Sequence, residues 1–118
     1  MQVVDIQQEL AKHAAGSFLN LLPFNQHHIG ACDITGVSPV WEMHPDTDEF
    51  FYIVEGRFEI TLLDGDGPSQ HVAMAGSSFV VPQGIWHRPA APEGCKFIYF
   101  TPGQSLHSEA SDPREQSD

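Results

Sequence analysis

A chain of 118 residues with 41% hydrophobic content is the size of one domain around one core, and none of its apolar runs reaches membrane-spanning length. The formal net charge of -11, with only five Lys and Arg, repels phosphate backbones and anionic lipid, so neither nucleic acid nor a membrane surface is an expected partner. The opening MQVVDIQQELAKHAAG carries charges early and lacks an apolar signal core, which predicts a cytoplasmic protein, and Cys32 and Cys95 read as buried free thiols of a reducing compartment.

In chain order, Asp5 stands three residues before Gln8 at capping-box spacing, Ile6 and Leu10 share a helical face, and Gly16 is a plausible stop. One short helix over about residues 6–15 follows from this. From there on the pattern changes to strands. HHIGACDIT, WEMH, EFFYIVEG, RFEITLLDG, QHVAM, SSFVVP and CKFIYF are short, β-branched and aromatic, and are separated by Gly, Pro and Asp. RFEITLLDG alternates cleanly, with Phe58, Ile60 and Leu62 on one face and Arg57, Glu59 and Thr61 on the other. LLDGDGP reads as a hairpin turn, and seven or more such strands predict an all-β sandwich or barrel. The terminal SLHSEASDPREQSD is acidic and poor in large apolar residues, so residues 105–118 are expected to form a disordered acidic tail after a single domain over 1–104.

In WEMHPDTDEFFYIVEG, charged and imidazole groups stand right beside the chain's most apolar run. Glu42 and His44 are two apart on a strand and share a face, Glu49 opens the next strand, and His87 follows a PQG turn. Gly36, Glu42, His44, Glu49 and Gly56 form one spaced frame, and Gly76, Pro82, Gly84 and His87 form a second. These frames resemble the two motifs of the cupin superfamily, G-x5-H-x-H-x3-4-E-x6-G and G-x5-P-x-G-x2-H-x3-N. The resemblance runs over residues 36–100, and the wording HPDTDEFFYIVEG with FVVPQGIWHRP looks most like small single-domain cupins described as mannose-6-phosphate-isomerase-like. Two positions depart from the motifs: Glu42 replaces the first His, and Ala91 replaces the closing Asn.

The resemblance implies a double-stranded β-helix (a jelly-roll barrel), with motif one over 36–56 and motif two over 76–91. It also implies a divalent metal inside the barrel, with His44, Glu49 and His87 at ligand positions and Glu42 at a ligand position of different residue type. Two His and one carboxylate suit non-haem iron, and a second carboxylate favours Fe, Mn, Ni or Zn over Cu(I). Three readings of Glu42 stay open: a fourth metal ligand, a catalytic acid/base group beside the metal, or the partner of a protonated His44 or His87 in a site without metal. Phe51 and Ile53 share parity with Glu49 and should line the pocket, together with Phe97 and Tyr99 from the last strand; Trp41 and Met43 should pack. His27, His28, His71 and His107 fall outside both frames and read as surface residues. The expected function is metal-dependent chemistry on a small organic molecule, of oxygenase or isomerase/lyase type, with a non-catalytic ligand-binding or sensing cupin as the alternative. A homodimer is expected from the sheet edges that a barrel of this size exposes.

Overall fold

The computed structural model describes residues 1–115. In chain order its elements are α1 (Ile6–Ala11), β1 (Leu19–Phe24), β2 (His27–Val37), β3 (Trp41–Met43), β4 (Glu49–Leu62), β5 (Ser69–Met74), β6 (Ser78–Val81), β7 (His87–Phe100), β8 (Leu106–Ser108) and a 3-10 turn, Pro113–Glu115. The eight strands form one curled antiparallel sheet, the expected all-β barrel with a short N-terminal helix. Asp5 caps α1 by accepting from Gln8 N at 3.0 Å. The helix stops well before Gly16. Beyond Leu10 it has no further large apolar side chain to bury at helical spacing, and Gly16 instead donates its N–H to the Asp33 carbonyl of β2 at 2.6 Å.

β7 is the spine. It pairs with β2 from Ile29↔Phe100 to Val37↔Ala90 and with β4 from Phe50↔Phe100 to Leu62↔His87. EFFYIVEG and RFEITLLDG, which read as two strands, form one strand of 14 residues bent at Gly56. Gly56 has φ +87, and a Cβ there would overlap the Gly94 carbonyl oxygen across the ladder, so the residue bends the strand and admits its neighbour. The expected alternation holds on both halves of β4: Glu49, Phe51, Ile53, Phe58 and Ile60 are buried. The core is a cluster of rings from Phe51, Phe58, Phe79 and Phe97, with centroids between 4.9 and 5.6 Å apart. Trp41 is buried as expected and carries the Arg88 guanidinium 4.5 Å from its ring centroid. Cys32 and Cys95 are free and buried, and burial pushes their thiols up to about 11 and about 12.

The C-terminal segment corrects the expectation of a disordered tail. Leu106–Ser108 forms β8 against β3, Pro113 is buried, and Arg114 Nη1 donates to the Gly65 carbonyl at 2.6 Å. Backbone pairing to an open strand edge and one guanidinium anchor order a stretch with little apolar surface to bury. Residues 116–118, also expected to be disordered, lie outside the described residues.

Gly36 shares the left-handed conformation of Gly56 (φ +92), but a Cβ there would meet open space. Gly36→Ala should therefore cost only backbone strain, about 1–3 kcal/mol, and Gly56→Ala should cost more because the Gly94 carbonyl must also move. Urea midpoints measure both; equal losses would contradict the close approach at Gly56.

Candidate metal centre

Three strands deliver four side chains to one point. β3 presents Glu42 and His44 follows it, β4 opens with Glu49, and β7 opens with His87. Cross-strand register sets Glu42 directly opposite His87. One ligand atom from each of the four residues lies within 4.8 Å of every other. His44 Nε2 is 3.0 Å from Glu49 Oε1 and 3.3 Å from Glu42 Oε1, and His87 Nε2 is 3.1 and 3.4 Å from the same two oxygens. Side-chain exposure is 3% for His44, 6% for Glu49, 1% for His87 and 27% for Glu42. Glu42 is thus the outermost of the four.

The far side of each ring decides its tautomer. His44 Nδ1 lies 3.0 Å from the Gln104 carbonyl and His87 Nδ1 lies 3.1 Å from the Ile85 carbonyl. A carbonyl only accepts, so both Nδ1 atoms carry hydrogen and both Nε2 atoms point inward. In neutral rings those Nε2 lone pairs would face carboxylate oxygens, acceptor against acceptor. Two states relieve this: a proton on each Nε2, or a cation among the four atoms. The donor set, two imidazoles and two carboxylates, fits a divalent first-row metal.

Burial on its own opposes the charge of all four groups. At Glu42 and Glu49 the hydrogen bonds from His44 and His87 outweigh it and lower both carboxyls from their ordinary value, Glu42 far below it. At His44 and His87 the bonds to Glu42 and Glu49 likewise outweigh burial and raise both imidazoles.

Surrounding groups hold the four in place. Thr101 Oγ1 donates to Glu49 Oε2 at 2.6 Å, and His107 Nε2 lies 3.0 Å from Glu42 Oε2. The PDTD loop between β3 and β4 is tied down by its acids. Asp48 accepts from Gln83 N at 2.8 Å, Asp46 accepts from Gln104 N at 2.9 Å, and the His44 carbonyl accepts from Gly84 N at 2.9 Å. Asp48 therefore ties this loop to the turn that precedes His87, and Asp46 ties it to the segment that precedes β8.

A cavity of about 460 Å³ opens onto the centre and includes Glu42, Glu49, His87, Phe51, Phe97 and Tyr99 in its lining. Ile53, expected in this lining, is fully buried and belongs to the core beneath. It faces inward, as its parity with Glu49 predicts, but lies one step too far along β4 to reach the cavity. His107, expected on the bare surface, lines the cavity and contacts Glu42. Neither His107 nor Thr101 belongs to a spaced frame, and nothing in the linear sequence marked them.

The sign of the pH response follows for the metal-free chain. His44 and His87 titrate higher folded than unfolded, so their contribution is complete below about pH 6.5 and is lost as pH rises through the raised values. The carboxylates titrate lower folded, so theirs is lost as pH falls below about 4.3. Urea midpoints measured in chelator should decline from about pH 6.5 upward. Stabilisation by added Mn(II) should grow over the same range, because the metal replaces those protons. A metal-free midpoint that climbs above pH 7 would contradict the charge arrangement.

Residues 34–101, more than half the chain, match the cupin domain family Cupin_2. Over 77 residues, 65% of this chain, the sequence is 34% identical to uncharacterized protein YdbB of Bacillus subtilis (strain 168), and the match spans 62% of that relative's length. In structure the chain is similar to a cupin-2 domain containing protein from Shewanella frigidimarina NCIMB 400, with TM-score 0.76 and 28% identity over 85% of this chain and 94% of that one. It is also similar to hydroquinone 1,2-dioxygenase from Sphingomonas sp. TTNP3, solved with 4-hydroxybenzoate bound, with TM-score 0.69 and 16% identity over 84% of this chain and 78% of that one. At 16% identity this second likeness is one of fold. The matched segment carries both spaced frames and all four clustered residues, and the chain belongs to the cupin domain family.

Proposed function

We propose that the barrel holds a divalent transition metal on Glu42, His44, Glu49 and His87 and acts on a small, uncharged organic molecule in the adjoining cavity. The observation that carries this reading is the inward orientation of both Nε2 atoms, fixed by Nδ1 bonds to backbone carbonyls, toward one oxygen each of the buried Glu49 and the half-buried Glu42. A bound ion of this kind supplies Lewis acidity and, if iron, oxygenase-type chemistry. The two carboxylates offset its charge, and the two imidazoles complete an N2O2 set. Glu42 is read as a ligand in preference to a general base, since its Oε1 faces the same two nitrogens as Glu49 Oε1. A base also needs a pKa near working pH, and Glu42 is held well below that.

The cavity wall supports the substrate class. Phe51, Phe97 and Tyr99 offer dry, aromatic surface, and burial pushes the Tyr99 phenol up to about 12, so it stays a neutral hydroxyl able to donate. Among the described lining residues none is Lys or Arg, so no guanidinium or ammonium group waits for a phosphate or carboxylate. A sugar phosphate fits poorly, and a neutral phenol-sized molecule fits well. A ligand-binding cupin without metal is the second reading, and it rests on the same contacts, since two imidazolium rings would also satisfy the two carboxylates.

Homodimerisation is supported by exposed Val72, Met74 and Val80 beside the open edges of β5 and β6, and a reducing cytoplasm suits the two free thiols.

Elemental analysis of protein purified without added metal or a His-tag column tests the centre. Wild type should carry a stoichiometric ion, Glu42→Gln should bind it about ten-fold or more weakly, and His44→Ala should lose it. Full retention in Glu42→Gln would remove Glu42 from the ligand set, and metal-free wild type would favour the second reading. For the substrate class, titration of the metal-loaded protein should show phenol binding at least about ten-fold more tightly than benzoate, the difference of one uncompensated charge. The reverse order would contradict an uncharged ligand.

A further inference from the structure

The residue at position 42 raises a question of positioning. Glu42 stands where the first motif of the family has His, and a Glu side chain has one more rotatable bond and two equivalent oxygens. It is the least buried of the four, on a strand of three residues that pairs with β7, among the described residues, at Glu42↔His87 alone. Its other edge is covered by β8, in the register Trp41↔Ser108, Glu42↔His107 and Met43↔Leu106. Glu42 is therefore flanked on the same face by His87 from one neighbouring strand and His107 from the other. Its two oxygens divide between them: Oε1 lies 3.4 Å from His87 Nε2 and Oε2 lies 3.0 Å from His107 Nε2.

We infer that His107 is a positioning residue of the metal centre. Its Nε2–H donates to Glu42 Oε2, occupies that oxygen, and leaves Oε1 as the single donor facing His44 and His87. The inference rests on the proposed metal site. A second contact from the same segment points the same way. Gln104 accepts from His44 Nδ1 through its carbonyl, and Ser105 Oγ sits 3.1 Å from the same nitrogen. Residues 104–108 thus brace both site residues of the E-x-H pair from outside, and all of them lie beyond the family match, which ends at residue 101. The C-terminal strand is then part of the centre and supplies what a flexible carboxylate at position 42 requires.

His107 is half exposed, with 54% of its side chain accessible, so substitution leaves the core intact. The test is titration of the metal-stripped full chain with Mn(II), together with the Co(II) absorption spectrum at saturation. His107→Ala should weaken Mn(II) binding by about ten- to a hundred-fold and shift the Co(II) spectrum. His107→Gln keeps an N–H donor and should recover most of both. His71→Ala, on exposed β5, should match wild type and exclude adventitious imidazole binding. Unchanged urea midpoints of the metal-free variants would separate positioning from folding. His107→Ala binding Mn(II) like wild type, or giving an unaltered Co(II) spectrum, would overturn this inference alone. Wild type that binds neither ion would overturn the metal reading and this inference with it.

Discussion

Two imidazole nitrogens and two carboxylate oxygens converge with every Nδ1 hydrogen already committed to a backbone carbonyl. Without protons or a cation this is four acceptors at contact distance, which a buried site cannot tolerate. Much of the architecture follows from holding that arrangement. β3, β4 and β7 must each place a residue at the same level of the barrel, and the His44 and Ile85 backbones must be fixed relative to β7. The bridges from Asp46 and Asp48 to the two facing turns provide that fixation.

Electrostatics explains why the centre sits where it does. Buried carboxylates are costly alone, and here each is matched by two imidazoles whose basicity is raised in return. A dication would take over from the two protons without altering the total charge of the cluster. Phe51 and Phe97 add apolar surface to the cavity wall beside these groups. The cavity beyond is largely apolar, with Glu42 and Glu49 in its lining.

Much of the fold was legible because its punctuation is local. Gly36, Gly56, Gly76 and Gly84 all adopt positive φ, a local conformation that favours Gly and that the chain alone signals. The parity of β4 located Glu49, Phe51 and Ile53 on the inner face. Depth along the barrel was not legible, which is why Ile53 proved to be core while Phe51 lines the cavity. β1, with Pro23 inside it, and β8, with three residues and little apolar content, gave no periodic signal. Their strands exist because an edge of the sheet was available to pair with. The partnership of His107 with Glu42 joins positions 65 apart through that pairing, so only the register reveals it.

Counting protons tests the central claim most directly. Metal-stripped protein titrated calorimetrically with Mn(II) at pH 7, in buffers of different ionisation enthalpy, reports how many protons each ion displaces. Since both Nε2 atoms should be protonated in the metal-free site at that pH, about two protons should be released per ion bound. Binding with no proton release, or no binding at all, would contradict a centre in which one cation takes the place of two protons.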